Sequence, residues 1–290
     1  MHKSKHHTGS IFLLTLSFFC ILASCKKKEI DNEIDSVIDY SIIQQEILNF
    51  PSQIQCTAPF TGGLMKFSPG FLGNFASSNC PGHALFGDTA GYFQGAFQNN
   101  SNLPGLEFDW QSGCASSNDS RIRNGKFKAI FSKPFSQAGC GINLIPMNYK
   151  MKMDNGDLLF LNGQMNLVNS SSNYWQFTSS GLSFGNNSWT STFNSSLSFN
   201  IISGGNDSLL FNEIYQISGE GSGLSRNGKK FDFVIKQPLV KNANFKWIVS
   251  GKVELTPEGL ETRIIDFGDG SFNNQATFEV NGSIFSFNLR

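Results

Sequence analysis

Lys246-Trp247-Ile248-Val249-Ser250-Gly251-Lys252-Val253-Glu254-Leu255-Thr256 is the stretch that decides the fold class. Apolar side chains occupy one set of alternate positions, at Phe245, Trp247, Val249, Val253 and Leu255. Polar side chains occupy the other set, at Lys246, Ser250, Lys252, Glu254 and Thr256. A period of two residues predicts an antiparallel strand with one face in the core and the other in water.

Asn-Gly pairs beside similar runs predict the turns between strands. They stand at 124–125, 155–156, 162–163, 227–228 and 281–282. Both residues tolerate the positive φ angles of a type I′ turn, so each pair signals a hairpin. The clearest one joins Ala276–Val280 to Ile284–Leu289. The whole chain has 29 phenylalanines and few charges, and its residues 53–290 are predicted to form an all-β antiparallel sheet or sandwich built from hairpins.

A four-residue pattern occurs twice in this region. Arg123-Asn124-Gly125-Lys126 and Arg226-Asn227-Gly228-Lys229 each precede a run rich in phenylalanine. The repetition suggests one supersecondary unit used twice. Two similar lobes, at about 53–200 and 201–290, are therefore an alternative to a single β domain.

The N-terminus predicts export. Residues 1–10 are basic, and the apolar run Ile11–Ala23 is shorter than the roughly 20 residues of a membrane-spanning helix. Residues 1–24 therefore fit a signal peptide. Leu22-Ala23-Ser24-Cys25 resembles the lipobox of bacterial lipoproteins, in which the cysteine carries acyl chains such as palmitate. We expect a lipid-anchored outer-membrane protein, with its periplasmic or surface face left open.

Residues 25–52 are predicted to be a tether that contains a short helix. Apolar residues between Glu29 and Phe50 recur at helical rather than strand spacing, and Pro51 would stop such a helix. Removal of residues 1–24 leaves 20 basic and 22 acidic side chains, a net charge of about −2. Nucleic-acid binding needs a basic patch, so it is not expected. The expected contact is the membrane, through the lipid.

Several segments resemble an uncharacterised family of Bacteroidota lipoproteins. They are Glu107-Phe108-Asp109, Arg121-Ile122-Arg123-Asn124-Gly125-Lys126, Ile214-Tyr215-Gln216-Ile217-Ser218-Gly219, Lys246-Trp247-Ile248-Val249-Ser250-Gly251, Ile265-Asp266-Phe267-Gly268-Asp269-Gly270 and Asn274-Gln275-Ala276. They span roughly residues 80–290. The resemblance implies an all-β fold and a cell-envelope address, and it supplies neither a substrate nor a catalytic residue.

Catalytic constellations are sparse. After processing, His83 beside Pro81-Gly82 is the one remaining histidine, and it is expected in a loop. Serine triads, Cys-His pairs and multi-histidine zinc sites need histidine in a defined role. Glu107-Phe108-Asp109-Trp110-Gln111 resembles the acidic strand of laminarinase-type glycosidases. Retaining hydrolysis needs a nucleophile and an acid/base, and Gln111, at the third position, cannot donate and accept the proton. We therefore expect these carboxylates on a solvent face, no catalytic residue and no cofactor.

Two further sets of residues are candidate ligand or modification sites. Asp266, Asp269 and Asn273 could offer oxygens to Ca²⁺, although further ligands are missing; the alternative is a tight acidic turn. Three Asp-(Ser/Thr) triplets, at Ser36, Thr89 and Ser208, resemble a bacterial O-glycosylation motif. No metal site is predicted with these residues alone.

Four cysteines remain beside Cys25, namely Cys56, Cys80, Cys114 and Cys140, and they allow three pairings in an oxidising compartment. The family resemblance implies Cys80–Cys114, with Cys56–Cys140 as the corollary. It also implies a lost bridge, because its members carry cysteines where this chain has Phe245 and Phe272. We expect the two phenylalanines to be in contact.

The sequence therefore favours a non-enzymatic, lipid-anchored β-protein of the cell envelope that serves as a binding or structural surface module. A carbohydrate-binding or carbohydrate-active lipoprotein is the alternative, and a subunit of an outer-membrane uptake complex is a third. The glycan or protein ligand stays open.

Overall fold

The computed structural model describes residues 31, 33–51, 54, 81–87, 103, 105–116, 119–133, 137–171, 173–204 and 212–290. These residues form one helix and fourteen strands. The elements are α1 (Asp35–Ile47), β1 (Gly82–Phe86), β2 (Gly105–Asp109), β3 (Cys114–Ala115), β4 (Ile122–Phe131), β5 (Cys140–Lys152), β6 (Leu158–Ser171), β7 (Tyr174–Gly185), β8 (Thr190–Ser203), β9 (Ile214–Leu224), β10 (Lys230–Asn242), β11 (Ile248–Pro257), β12 (Arg263–Asp269), β13 (Gln275–Val280) and β14 (Ser283–Asn288). The all-β class is therefore confirmed.

The strands form a single antiparallel sheet, in which strands that follow one another in the chain pair with each other, except that β2 pairs with β4 rather than with β3. The order is β1, β2, β4 and then each following strand up to β14. The short β3 pairs with β4 at residues 122–123, next to the part of β4 that pairs with β2. The predicted strand is β11, and its apolar residues Val249, Val253 and Leu255 are buried as expected. Burial alternates in the same way along most of β6, β7, β8 and β10, which gives the sheet one apolar face.

Asn-Gly pairs make turns at three of the five predicted places. Asn281 and Gly282 have φ angles of 52° and 75°, as a two-residue type I′ turn requires, and they connect β13 to β14. The pairs at 155–156 and 227–228 also lie in turns. The other two pairs lie inside β4 and β6, where they produce register shifts, so those two hairpin predictions are wrong.

The repeated Arg-Asn-Gly-Lys pattern is not one unit used twice. Arg123–Lys126 lies within β4, with Gly125 at a bulge, whereas Arg226–Lys229 belongs to the turn between β9 and β10. The two-lobe alternative is also wrong, because β8 and β9 pair along their length across its proposed boundary. Glu33–Arg290 forms one compact unit.

Helix α1 is confirmed as a helix, but its assignment to a tether is wrong. Residues Ser36–Ile47 are all buried, from Val37 at 0% exposure to Ile38 at 8%. Apolar residues occur on every side of the helix, a pattern typical of buried helices. Tyr40 contacts Phe193 of β8 and Phe233 of β10, at ring-centroid distances of 6.1 and 4.7 Å. The helix is therefore part of the core of the β domain.

The sheet curves around this helix. The backbone carbonyl of Glu33 accepts hydrogen bonds from Arg263 of β12, and Glu46 binds Arg123 of β4. β4 and β12 are eight strand spacings apart in the sheet, about 38 Å if the sheet were flat. Because the segment between the two glutamates spans only about 20 Å, both strands are reached only if the sheet bends round α1.

Candidate functional site

Several sequence-predicted residues lie outside the described residues. They are residues 1–24, Cys25, Cys56, Cys80, Thr89 and Ser208, and the predictions made for them stay predictions. The backbone of His83 lies in strand β1 and pairs with Phe108, so its expected place in a loop is wrong.

Ser36 is not an available glycosylation site in the folded domain. Its side chain is fully buried in the first turn of α1, and its hydroxyl donates a 2.6 Å hydrogen bond to Glu33 Oε2. A glycosyltransferase needs an exposed hydroxyl, so this prediction is wrong for the folded protein. The serine instead helps to begin the helix, because its backbone N–H also binds Glu33.

Two of the candidate disulfide cysteines are described. Cys140 begins β5 facing inward, and it is a buried free thiol that donates a hydrogen bond to the carbonyl of Lys133 at 3.0 Å. The proposed Cys56–Cys140 bridge is therefore wrong. Burial raises the pKa of this thiol to about 11. Cys114 packs half-buried against the core, and its pairing with Cys80 stays a prediction.

Glu107 and Asp109 lie on the outer face of β2, opposite the buried Leu106 and Phe108, as predicted. Lys126 of β4 binds both carboxylates, with Nζ–O distances of 2.8 and 2.9 Å. Desolvation opposes ionisation of Asp109, but hydrogen bonds from Lys126 and the Gln111 N–H outweigh it and lower its pKa. Asp109 is thus held as a carboxylate, which is unsuited to a general acid.

A second charged cluster lies inside the molecule and was missed by sequence reasoning. Glu46 of α1 accepts hydrogen bonds from Arg123, at 2.8 and 2.9 Å, from Arg121 and from the Tyr149 hydroxyl. Asp119 binds the other edge of the Arg123 guanidinium at 2.6 and 2.8 Å. All of these side chains are nearly or fully buried. Each charge has a partner, so the cluster fixes the helix to β4 rather than offering an open reactive group.

A third buried cation, Lys241, lies close enough to this cluster to interact with its charges. Its ammonium donates hydrogen bonds to the backbone carbonyls of Asn242 and Phe245. Burial lowers its pKa to about 7, although Asp119 acts in the opposite direction.

The candidate binding site is a groove where β12 and β13 separate. The two strands pair only between Ile264–Asp266 and Thr277–Glu279. Beyond Asp266, β12 stays with β11, because Asp269 pairs with Ser250 and the Gly270 N–H donates to Val249 at 2.9 Å. The first residues of β13 instead stay with β14. The sheet therefore forks.

This fork groove has a volume of about 640 Å³. Its lining is dominated by carboxylate, amide and hydroxyl side chains. The polar members are Lys252, Asp266, Asp269, Asn273, Gln275, Thr277, Ser286 and Asn288, with Phe287 as the aromatic contribution. The predicted Asp266, Asp269 and Asn273 thus come together, whereas the residues from β13 and β14 were missed because the fork depends on strand pairing.

The three acidic and amide residues predicted for Ca²⁺ form tight turns. Their Oδ1 atoms accept hydrogen bonds from the backbone N–H groups of Gly268, Ser271 and Gln275 at 2.9, 3.0 and 2.8 Å. Lys252 neutralises Asp266 at 2.9 Å. Among the described residues, no group of three His, Cys, Asp or Glu side chains is arranged to hold a metal ion. Hydrogen bonds from Ser271 lower the pKa of Asp269, so it stays ionised.

Phe272 lies in the loop between Asp269 and Asn273 and contacts Phe245. Their ring centroids are 4.8 Å apart at an interplanar angle of 59°, so the predicted contact is confirmed. Phe245 is half-buried, whereas Phe272 is 65% exposed. An exposed aromatic ring therefore stands in the same loop as two polar residues of the fork groove.

No protein-family model matches the chain, and neither a curated protein nor a solved structure shows significant similarity to it. In the part of the chain that the structure describes, no helix has the length and apolar character needed to cross a membrane.

Proposed function

We propose that the chain is a lipid-anchored, non-enzymatic binding module of the bacterial cell envelope. Residues 1–24 and Cys25 support the anchor, since they combine a signal peptide with a lipobox-like end. The described carboxylates on β2 are engaged by lysine, and those of the interior cluster by arginine. Neither set offers the pair of unengaged acids that glycoside hydrolysis requires.

The fork groove carries the binding part of the proposal. The carboxylate and amide groups at Asp269, Asn273, Gln275 and Asn288 line it, and together they offer hydrogen-bond donors and acceptors to the hydroxyls of a sugar. Asp266 and Lys252 cancel each other's charge, so the groove is only mildly acidic. The ligand class that fits is a neutral glycan. The groove's polar side chains would hold it by hydrogen bonds, and the exposed Phe272 ring lies beside those side chains.

Affinity electrophoresis of the full chain through gels containing dextran, xylan or laminarin tests this proposal. We expect retardation by at least one of the three polysaccharides. The double variant Gln275→Ala/Asn288→Ala should lose roughly tenfold or more in apparent affinity, because each lost hydrogen bond contributes about 1 kcal/mol. The matched control is Gln237→Ala/Asn155→Ala, which alters the same residue types at exposed positions outside the groove.

Equal retardation of both double variants, or none for the wild type, would contradict the groove assignment. The anchor is tested separately with a metabolic fatty-acid analogue. The wild type should be labelled, and Cys25→Ser should be unlabelled and released into the soluble fraction. An unlabelled wild type would refute the anchor without affecting the groove.

A further inference from the structure

The last strand, β14, is an edge of the sheet. It pairs with β13 at six consecutive positions, from Val280 opposite Ser283 to Gln275 opposite Asn288, without a register shift. Within the described part of the chain, no strand pairs with its other side. The pairing of this edge strand is therefore regular.

The turn geometry determines which backbone groups face outward. Asn281 and Gly282 form a two-residue loop, and the residues flanking such a loop bond to each other. Hydrogen-bonded pairs alternate along an antiparallel ladder, so Ser283, Phe285 and Phe287 bond to β13. The N–H and C=O groups of Ile284, Ser286 and Asn288 consequently point away from the sheet.

The sequence of β14 does not carry the residues that usually protect an open edge. Natural edge strands are interrupted by charges, prolines or bulges, and Ser283–Asn288 contains no charged residue, proline or glycine. Ile284 is 69% exposed and Phe285 is 44% exposed. By contrast, the outer face of the interior strands carries ion pairs such as Lys236–Glu254.

We infer that β14 docks against β14 of a second copy of this chain, in an antiparallel pair that continues the sheet. The two edges are compatible in charge, because neither carries any. The nearest acid, Glu279, is on β13 opposite Ile284. In the pair, the two Glu279 residues are three strand spacings apart, about 14 Å, which exceeds the screening length of about 8 Å at physiological salt.

Symmetry fixes the geometry further. A two-fold axis perpendicular to the sheet keeps the apolar inner face of both copies on the same side. The outward-bonding residues Ile284 and Ser286 then lie at the centre of the new ladder. Phe285 rings from the two copies lie close together on the inner face, where they bury exposed apolar surface.

Cross-linking of the full chain in membranes tests the pair. In the Ser286→Cys variant the new thiol lies on the outer face of β14, and it should react with the same thiol of the second copy through a bismaleimide that spans about 8 Å. The two thiols are within that distance because they lie on directly paired strands close to the two-fold axis. The matched control is Thr277→Cys, since Thr277 is opposite Ser286 on β13. Its two copies are separated by two additional strand spacings and should cross-link only at the wild-type background.

Ser286→Pro provides a second test that does not depend on an added thiol. It removes an outward N–H and should leave the β13 ladder intact, which circular dichroism can verify. We expect the sedimentation mass of the detergent-solubilised chain to fall from twice the monomer mass to that of the monomer. A monomeric wild type, equal cross-linking at positions 286 and 277, or a cross-link to a different protein would overturn the inference.

Discussion

At the scale of single residues, the Glu46 carboxylate accepts hydrogen bonds from three side chains of the interior cluster. It joins α1 to Arg121 and Arg123, with a closest N–O distance of 2.8 Å, and it is fully buried. Removing one member of a buried ion pair leaves an uncompensated charge, which costs about 3–5 kcal/mol. We therefore predict that Glu46→Gln lowers the free energy of unfolding by that amount, measured by urea denaturation.

Glu107→Gln is the matched control for Glu46. Glu107 is also paired with lysines, at 2.8 and 3.6 Å, but it lies on the outer face. Ion pairs near solvent contribute about 0–1 kcal/mol, so the control should be nearly neutral. Comparable losses in the two variants would mean that the interior cluster has no special role in stability.

Asp119 gives a prediction for the dependence of stability on pH. Burial opposes its ionisation, but Arg123 and Arg121 outweigh that effect and lower its pKa to about 2. In the unfolded chain the pKa is about 3.9. Its stabilising contribution, on the order of 2 kcal/mol, is therefore complete above pH 4 and is lost as the pH falls towards 2.

The measurement is the urea midpoint between pH 5 and pH 2. It should fall steeply for the wild type, and less steeply for Asp119→Asn, which has no proton to gain at that position. A variant as acid-sensitive as the wild type would show that the acid lability arises elsewhere.

At the scale of elements, the sequence predicts local backbone conformation well. It predicts poorly where the resulting turn, bulge or helix lies in the tertiary structure. Gly125 and Gly163 both have the positive φ angles that their Asn-Gly pairs signal, 79° and 116°. Neither makes a hairpin. Each glycine lies inside a long strand, where the pairing with the next strand continues on both sides of it after a register shift. A Cβ at Gly125 would be 2.2 Å from the Asn148 carbonyl. Such an approach depends on the neighbouring strand, which no dipeptide encodes.

The helix illustrates the same limit. Apolar residues at helical rather than strand spacing predict a helix in this segment, and α1 forms where it is expected. Its burial depends on a sheet that bends round it, and on arginines that arrive from distant strands. Arg226 from the β9–β10 turn binds Asp39, as Arg123 binds Glu46. Asp39 and Glu46, two acidic residues in a helix with apolar residues on every side, were the available signal, since buried charges need partners.

The fork groove was partly predictable for a related reason. Asp266, Asp269 and Asn273 stand close together in the sequence, so their proximity is visible without a structure. Gln275, Ser286 and Asn288 join them because β12 and β13 separate after Asp266. The end of a ladder is a property of the assembled sheet, and it therefore could not be derived from composition or periodicity.

At the scale of the whole molecule, one core connects the sheet to the helix. The buried apolar residues from α1 and from the strands on both sides of residue 200 form a single cluster. The single ring of Tyr40 contacts both Phe193 of β8 and Phe233 of β10. A molecule with one core and a shared central helix should unfold as one cooperative unit.

Cys140 and the tryptophans offer two independent probes of that unit. Cys140 is in β5, and its buried thiol, with a pKa raised to about 11, should react with a maleimide at neutral pH only after unfolding. Trp175 in β7 and Trp247 before β11 are both buried, so their fluorescence reports on regions either side of the proposed lobe boundary. We predict that labelling and fluorescence follow the same urea transition. Cys140→Ser provides the labelling background from the other cysteines. Labelling of Cys140 at a lower urea concentration than the fluorescence change would show that β5 opens separately, which a single core around α1 does not permit.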